Sequence, residues 1–186
     1  VDITNPDSIK FGFEQLLKQF GKVEGLINNA ANDPKIPEKD NLRWSRFENL
    51  SLNTWNTDIE VGLTGAFLCA QVVGAHMANT GGGTVLNIAS DLSIISPDQR
   101  LYRQDGIAEH HQPVKPVTYS VIKHGLIGLT KYLATYWAEY GVRCNAISPG
   151  GIYDGQPEEF VKRLTDLIPM RRMANKDEYK SAVVFL

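Results

Sequence analysis

The chain has 186 residues, a length that suits one domain with a substantial core. Its charged fraction is 22% and its net charge is −2, so it has neither the basic excess of a nucleic-acid binder nor an acidic tail. No apolar run of about 18 residues predicts a membrane span, and no signal peptide is visible. We therefore expect one folded domain without a nucleic-acid or membrane partner.

The predicted elements alternate between helix and strand. Helices are predicted where apolar residues recur every three to four positions, and strands where a short apolar run ends in polar or glycine-rich residues. In chain order they are a helix over 6–20, a strand over 23–27, a helix over 52–79, a strand over 84–89, a helix over 118–140, a strand over 142–147, a helix over 158–168 and a last helix from 176. Irregular segments are predicted over 32–53 and 91–117.

Two of the helices carry clear local signals. Asn5 or Asp7 is expected to cap the first helix, and Gly21 to end it. The long helix carries one apolar stripe, which is expected to face the core. The members of this stripe are Trp55, Ile59, Leu63, Phe67 and Ala70.

This alternation, without a hairpin signal between strands, predicts a doubly wound α/β fold whose parallel sheet is covered by helices on both faces. In such sheets ligands bind beyond the carboxyl ends of the strands. The polar and glycine-rich segments at the predicted strand ends should therefore meet at one edge. They are Asp2, Asn28–Ala31, Ser90 and Pro149–Gly151.

Both ends of the sequence fall inside a structural pattern. Residues 1–4 resemble the end of a strand that turns into a loop, and residues 182–186 resemble the start of an apolar helix. We therefore expect residues 1–186 to form a single but incomplete domain of a longer polypeptide.

Two cysteines, Cys69 and Cys144, stand alone in apolar stretches. Neither has a second cysteine or a nearby histidine at metal-ligand spacing. Buried, unpaired thiols are the expectation, and they are typical of a reducing compartment such as the cytoplasm.

Tyr119 and Lys123 stand four residues apart in a predicted helix. Residues at this spacing lie on one helix face, one turn apart. An ammonium beside a phenol lowers the phenol pKa from its ordinary value of about 10, so the tyrosine can exchange a proton with a carbonyl or alcohol oxygen. A surface Tyr–Lys pair on an amphipathic helix is the alternative interpretation.

Five segments in order resemble the short-chain dehydrogenase/reductase family. They are Asp2-Ile3, Asn28-Asn29-Ala30, Asn87-Ile88-Ala89-Ser90, Tyr119-x-x-x-Lys123 and Asn145-x-x-x-Pro149-Gly150. The resemblance covers essentially the whole chain and implies a Rossmann-like domain without its first two strands and its last strand. It also implies an oxidoreductase that interconverts an alcohol and a carbonyl with NAD or NADP.

The resemblance implies roles for the matching residues. Tyr119 would be the general acid/base, Lys123 would bind the nicotinamide ribose, and Ser90 would donate a hydrogen bond to the substrate oxygen, with Ser93 as the weaker candidate. The implied cofactor contacts are Asp2 at the adenine amino group, Ile3 beside it, Asn29, Ala30 and Ala31 along the groove, and Pro149, Gly150 and Ile152 at the nicotinamide. Ordinary loop, turn and helix-start positions are the alternative for Asp2, the asparagines, Ser90 and Pro149-Gly150.

The sequence departs from the family pattern at two places. Gly62 stands where the family usually has an asparagine whose backbone carbonyl holds a water that relays protons to the lysine; a glycine can also bend a helix and still offers a carbonyl. The family's glycine-rich diphosphate loop is absent from this chain, so tight dinucleotide binding by these residues alone is not expected.

The interval from Ser90 to Tyr119 spans 29 positions and is longer than is common in the family. We interpret it as an insertion over the substrate side. Its His110 and His111 suggest a metal site, but no third ligand stands at a suitable spacing, so an exposed loop without metal is expected. Together with the polar segment 149–160, the insertion resembles oxidoreductases of bacterial surface-sugar and flagellin-modification pathways, which implies a sugar or a sugar derivative as substrate.

Two other functions remain open. Gly62 and the absent diphosphate loop favour a non-catalytic relative that serves as a binding or assembly partner, whereas an epimerase or dehydratase of the nucleotide-sugar branch would share the Tyr-x-x-x-Lys pair. The resemblance further implies a homodimer or homotetramer that forms through helices 52–79 and 118–140.

Overall fold

The computed structural model describes residues 1–32 and 42–186, so part of the predicted irregular segment 32–53 lies outside the described residues. Its helices are α1 (Pro6–Phe20), α2 (Leu52–Asn79), α3 (Val117–Tyr136), α4 (Glu158–Leu167) and α5 (Lys180–Phe185). Its strands are β1 (Gly25–Asn28), β2 (Gly83–Ile88) and β3 (Val142–Ile147). The predicted alternation is confirmed.

The three strands form one parallel sheet in the order β1-β2-β3. Asn28 pairs in register with Asn87, and Asn87 pairs with Ala146. Each strand reaches the next through a crossover that contains a helix, as parallel pairing requires. The carboxyl ends of the three strands therefore lie side by side at one edge of the sheet.

The main core lies between the sheet and α1, α2 and α3. Val85 of β2 packs with Met77 of α2 and Trp137 after α3, and both Val85 and Met77 are fully buried. Phe13 of α1 packs against the same cluster. On the opposite face of the sheet Ile27 is 55% exposed, so the expected helix cover is incomplete at β1.

The predicted ends of α1 are confirmed. The side chain of Asn5 accepts hydrogen bonds from the backbone nitrogens of Asp7 (2.9 Å) and Ser8 (3.2 Å), which makes Asn5 the N-cap. Gly21 ends the helix with φ 76°, a left-handed conformation that glycine adopts without steric cost.

Helix α2 is continuous but contains two π-helical segments, Glu60–Thr64 and Ala70–Gly74. Each π turn holds one residue more than an α turn, so positions at regular helical spacing drift around the helix. This drift corrects the predicted apolar stripe, because Phe67 is 46% exposed whereas Ala70 is buried.

By length and composition, α2 is also the one helix among the described residues that could cross a membrane, with a mean hydropathy of 1.4 over its most apolar window. The expectation of no membrane span was based on uninterrupted apolar runs, whereas this test allows up to two charged residues in the window. Core helices of soluble proteins pass the same test, and α2 packs against the sheet and α3. The helix is weak support for a membrane span.

Three predicted boundaries are corrected. Strand β1 begins at Gly25 rather than at residue 23. Helix α3 ends at Tyr136, because Trp137 leaves the helical conformation and a 3₁₀ turn over Ala138–Tyr140 follows. Helix α5 begins at Lys180 rather than 176, because Glu178 closes a turn on Asn175 through its backbone and its side chain.

Candidate active site

Tyr119 and Lys123 lie near the N-terminus of α3 on one side of the helix. The Nζ of Lys123 is 5.6 Å from the ring centroid of Tyr119. Lys123 is only 6% exposed, and its Nζ donates a hydrogen bond to the carbonyl of Ile88 at 2.8 Å. This bond joins the Tyr–Lys face of α3 to the carboxyl end of β2.

Ser90 stands two residues after β2 and is 5% exposed. Its hydroxyl donates to Oδ1 of Asp91 at 2.8 Å and accepts from the backbone nitrogen of Leu92 at 3.2 Å. Ser90 is thus the N-cap of a 3₁₀ turn over Asp91–Ser93. To donate to a substrate oxygen, the hydroxyl would have to turn away from Asp91.

The turn after β2 is tied to the segment after β3. The backbone nitrogen of Asp91 donates to the carbonyl of Pro149 at 2.9 Å. The hydroxyl of Ser93 donates to the carbonyl of Ser90 at 2.5 Å and lies 3.1 Å from the hydroxyl of Ser148. The same turn packs against α3. The structure therefore brings Ser90, Ser93 and Pro149 to the end of α3 that carries Tyr119.

A second lysine, which the sequence did not predict, lies beside Tyr119. The Nζ of Lys115 lies 3.8 Å from the centroid of the Tyr119 ring. Lys115 stands four positions before Tyr119, in the loop that leads into α3. The spacing was visible in the sequence, but Pro116 lies between the two residues and gave no helical pattern to suggest a contact.

A buried carboxylate supports the start of α3 and was also missed. The hydroxyl of Thr118 donates to Oδ2 of Asp58 at 2.7 Å, and these residues are 2% and 5% exposed. Asp58 lies on α2, 60 positions earlier in the chain. Because Thr118 directly precedes Tyr119, this bond fixes the backbone that carries the tyrosine.

A chain of side-chain amides links the ends of β1 and β2 to α3. The side-chain nitrogen of Asn28 donates to Oδ1 of Asn87 at 2.8 Å and to the carbonyl of Ala66 at 3.4 Å. The side-chain nitrogen of Asn87, which is fully buried, donates to the hydroxyl of Thr130 at 2.8 Å. Asn28 thus bridges β1, β2 and α2, in keeping with its implied place at the sheet edge.

The residues implied for the adenine lie near the start of the chain, and those implied for the cofactor groove follow β1. Oδ1 of Asp2 accepts from the hydroxyl and backbone nitrogen of Thr4 at 2.8 and 2.9 Å, and these hydrogen bonds hold the Asp2 pKa below its ordinary value. Ile3 packs against α2, where a Cβ on Gly65 would lie 2.7 Å from its Cδ1. Three residues after β1 have exposed side chains: Asn29, Ala30 and Ala31.

The segment implied for the nicotinamide side follows β3 and is well structured. The backbone nitrogen of Gly150 donates to the hydroxyl of Tyr179 at 3.2 Å. Ile152 forms a parallel bridge with Ala174, and its carbonyl accepts from Nε2 of Gln156 at 2.9 Å. The backbone of Ile152 is therefore fixed close to the end of β3.

The long interval before Tyr119 packs against α4. The rings of Tyr102 and Phe160 lie 5.6 Å apart, and the guanidinium of Arg163 donates to the carbonyl of Arg103 at 2.5 Å. Buried Gln112 holds the loop together through hydrogen bonds to the backbone of Gln104 and Ile107. The interval between Ser90 and Tyr119 and helix α4 thus form one connected unit.

A cavity of about 380 Å³ lies beside the start of α3. It is formed by two loop segments and the first turn of the helix. Its lining residues are Ser45, Arg46, Phe47, Glu48, Pro97, Gln99, Val114, Lys115, Val117 and Ser120. The cavity is bounded by the same lysine that covers the Tyr119 ring.

The histidine pair and the cysteines lie apart from this site. His110 and His111 are both exposed, with ring centroids 4.1 Å apart. Partial desolvation and the positive charge of His110, Arg43 and Arg46 lower the pKa of His111. No group of three His, Cys, Asp or Glu side chains suited to a metal ion occurs in residues 1–32 and 42–186. Cys144 is buried as expected, whereas Cys69 is only half-buried.

Comparison with known proteins gives consistent matches. A family model described as short chain dehydrogenase matches residues 1–102, and one described as enoyl-(acyl carrier protein) reductase matches residues 106–186. Relatives include D-threitol dehydrogenase of Mycolicibacterium smegmatis, which is 31% identical over all of this chain and 64% of the relative. NAD-dependent glycerol dehydrogenase of Listeria innocua is 31% identical over all of this chain and 65% of the relative.

Solved structures match the whole chain as well. A short chain dehydrogenase from Leptospira borgpetersenii with bound NAD⁺ superposes with a TM-score of 0.84 at 33% identity, covering 100% of this chain and 66% of that one. The chain thus spans just under two thirds of the length of these relatives. The matches confirm the predicted Rossmann-like fold class, with the chain forming part of the domain.

Proposed function

Because this chain belongs to the short-chain dehydrogenase family, we propose that it carries the catalytic residues of an NAD(P)-dependent oxidoreductase that interconverts an alcohol and a carbonyl. The observation that carries the proposal is the tie between α3 and β2. Lys123 reaches the Ile88 carbonyl at 2.8 Å while its Nζ stays 5.6 Å from the Tyr119 ring. This arrangement keeps an ammonium, a phenol and the Ser90 turn at one end of the sheet.

In the proposed reaction, Tyr119 moves a proton at its phenol oxygen. During alcohol oxidation the phenolate accepts the hydroxyl proton of the substrate, and during carbonyl reduction the phenol returns it. Ser90 donates a hydrogen bond to the same substrate oxygen after leaving Asp91. Lys123, anchored to Ile88, keeps positive charge beside the phenol and favours its ionised form.

The residues present fit the nicotinamide end of the cofactor better than its diphosphate. The fixed segment 149–152 offers backbone groups to the nicotinamide at the end of β3, and Asn29, Ala30 and Ala31 would line the groove from exposed positions after β1. Asp2 and Ile3 would meet the adenine. The bound cofactor would supply or accept the hydride.

Small polyhydroxylated alcohols are the proposed substrates. The relatives include a D-threitol dehydrogenase and a glycerol dehydrogenase, and a further relative is described as a probable galactose dehydrogenase. A sugar of a bacterial surface-modification pathway is the narrower form of this proposal.

The proposal extends to assembly and location. On the outward face of α3, Tyr132 is 62% exposed and Tyr136 is 59% exposed, and their rings stack with centroids 5.5 Å apart. On α2, Phe67 is also exposed. A homodimer or homotetramer would cover these rings. Two unpaired cysteines, Cys69 and Cys144, support a cytoplasmic location.

An oxidation assay tests the proposed function. The complete protein is mixed with NAD⁺ or NADP⁺ and with threitol, glycerol and galactose in turn, and the absorbance of the reduced cofactor is followed. We expect the absorbance of the reduced cofactor to increase with at least one of these alcohols. Quenching of tryptophan fluorescence by cofactor without any net redox change would contradict an oxidoreductase and favour the epimerase or binding-partner interpretation.

A further inference from the structure

Lys115 provides the nearer of the two ammonium groups described around Tyr119. Its Nζ lies 3.8 Å from the ring centroid, compared with 5.6 Å for Lys123. A cation within about 6 Å of an aromatic face is attracted to the electron density of the ring. Lys115 therefore contacts the ring face, whereas the lysine of the Tyr-x-x-x-Lys pair lies farther from it and is tied to β2.

The backbone of Lys115 is fixed by hydrogen bonds from two directions. Its own nitrogen donates to Oε1 of Gln99 at 2.8 Å. The preceding nitrogen, that of Val114, donates at 3.1 Å to the hydroxyl of Ser45, which is 1% exposed. The following residue is the buried Pro116, whose ring restricts the backbone further. The lysine thus reaches the ring from a rigid segment.

We propose that Lys115 is a positioning residue for Tyr119: it holds the ring at the mouth of the site and stabilises the phenolate over the phenol. Loss of the phenol proton places negative charge on the oxygen and the ring, so attraction to a cation at this distance grows. The inference builds on the proposed role of Tyr119 but concerns a residue outside the Tyr-x-x-x-Lys pair.

Several charged groups surround this end of α3 and also affect the balance between the phenol and phenolate forms of Tyr119. Lys123 acts in the same direction as Lys115, whereas carboxylates act against both. The charged groups on the described elements that pack here include Lys115, Lys123, Asp58, Asp91, Arg46 and Glu48. Arg46 and Glu48 form an ion pair of 2.6 Å, so their net effect is small. The test must therefore change Lys115 alone.

Ultraviolet titration of the phenol tests the inference without any need for turnover. Phenolate absorbance is followed against pH in the protein and in its Tyr119→Phe variant, and the difference isolates Tyr119. The same pair of curves is recorded in a Lys115→Met background. The midpoint of the isolated curve is expected to move to higher pH by roughly half to one unit, because a stabilising cation has been removed.

Matched variants separate charge from packing. Lys115→Arg keeps a cation over the ring and should leave the midpoint within a few tenths of a unit of that in the unmodified protein, while exposed Lys131→Met on α3 should not move it. If Lys115→Met proves unstable in far-ultraviolet circular dichroism, Lys115→Gln replaces it. A midpoint unchanged by loss of the cation, or moved equally by Arg and Met, overturns the inference.

Turnover gives a second readout. In an active enzyme, the pH dependence of kcat/KM should move in the Lys115→Met variant by the same amount as the titration, and the Arg variant should restore it. A shifted titration in a protein without oxidoreductase activity would overturn the proposed function but uphold the Lys115 contact. Normal activity of the unmodified enzyme, together with an unshifted titration in the Lys115→Met variant, would overturn only the proposed role of Lys115.

Discussion

The hydroxyl of Thr118 donates to the buried carboxylate of Asp58 at 2.7 Å, one residue before the tyrosine at the centre of the site. This bond connects α2 to the first turn of α3 within the protein interior, where both residues are at most 5% exposed. Loss of the Thr118 hydroxyl should therefore lower the stability of the fold and loosen the backbone that carries Tyr119.

Thr118→Val tests this bond. The substitution keeps the shape of the side chain but leaves a buried carboxylate without its donor, which should cost about 1–3 kcal/mol in the free energy of unfolding. Urea unfolding provides the measurement. Thr118→Ser keeps the hydroxyl and should lose less, and exposed Thr135→Val on the same helix should stay within about 0.5 kcal/mol of the unmodified protein. Equal stability of the Val and Ser variants would contradict the assigned role of the bond.

Gly62→Ala tests the close approach of α2 and α3. A Cβ at this position would lie 2.8 Å from Cγ2 of Ile122, so the two helices must separate or Ile122 must move. We expect a loss of about 1–3 kcal/mol in the free energy of unfolding.

Gly128→Ala on α3 is the matched control for this helix contact. A Cβ there meets no atom within 4 Å, so the substitution should stabilise the helix by about 0.5–1 kcal/mol. Both variants are compared by denaturant unfolding. A Gly62→Ala protein as stable as the Gly128→Ala protein would show that the predicted crowding does not occur.

The two thiols should react at different rates. Burial raises the pKa of Cys144 to about 11, so about one thousandth of it is thiolate at pH 8, and the side chain is also shielded. Cys69 is half-buried and its pKa is raised less strongly. With a disulfide reagent in native buffer, Cys69 should react first and Cys144 only on unfolding. Fast labelling that persists in a Cys69→Ala variant would refute this order.

The turn before α5 should lose stability in acid. Arg172 holds Glu178 through two hydrogen bonds of 2.7 Å, and these, with the Asn175 nitrogen, lower the Glu178 pKa to about 2 from its ordinary 4.5. Because the folded pKa is depressed, the stabilisation is present above about pH 4.5 and is lost as the pH falls toward 2.

Glu178→Gln tests this pH dependence. The variant should be less stable than the unmodified protein at neutral pH, and the difference should shrink between about pH 4.5 and 2, as measured by denaturant unfolding across that range. Arg172→Met should lose the same pH-dependent part of the free energy of unfolding. A deficit that stays constant from neutral pH down to pH 2 would exclude the carboxylate as its source.

Much of the fold followed from the sequence because α1, α2, α3 and the strands carry regular apolar spacing and clear stop signals. The π turns of α2 did not follow, because no local apolar pattern marks them. They contain Gly62 and Gly74, where Ile122 of α3 and Trp137 pack closely. Within the site, the Tyr119–Lys123 pair was visible as local spacing. Partners that the fold joins from distant segments, such as Asp58 for Thr118, leave no local pattern.

The central claim is that Tyr119 transfers the proton, and turnover of Tyr119→Phe tests it most directly. Tyr153→Phe, at an exposed position, is the control, and unfolding curves establish that both variants fold. We predict that kcat/KM for oxidation of the alcohol falls by about 10²- to 10⁴-fold in Tyr119→Phe and stays near its original value in Tyr153→Phe. Turnover within twofold of the unmodified enzyme in a folded Tyr119→Phe protein would contradict the account.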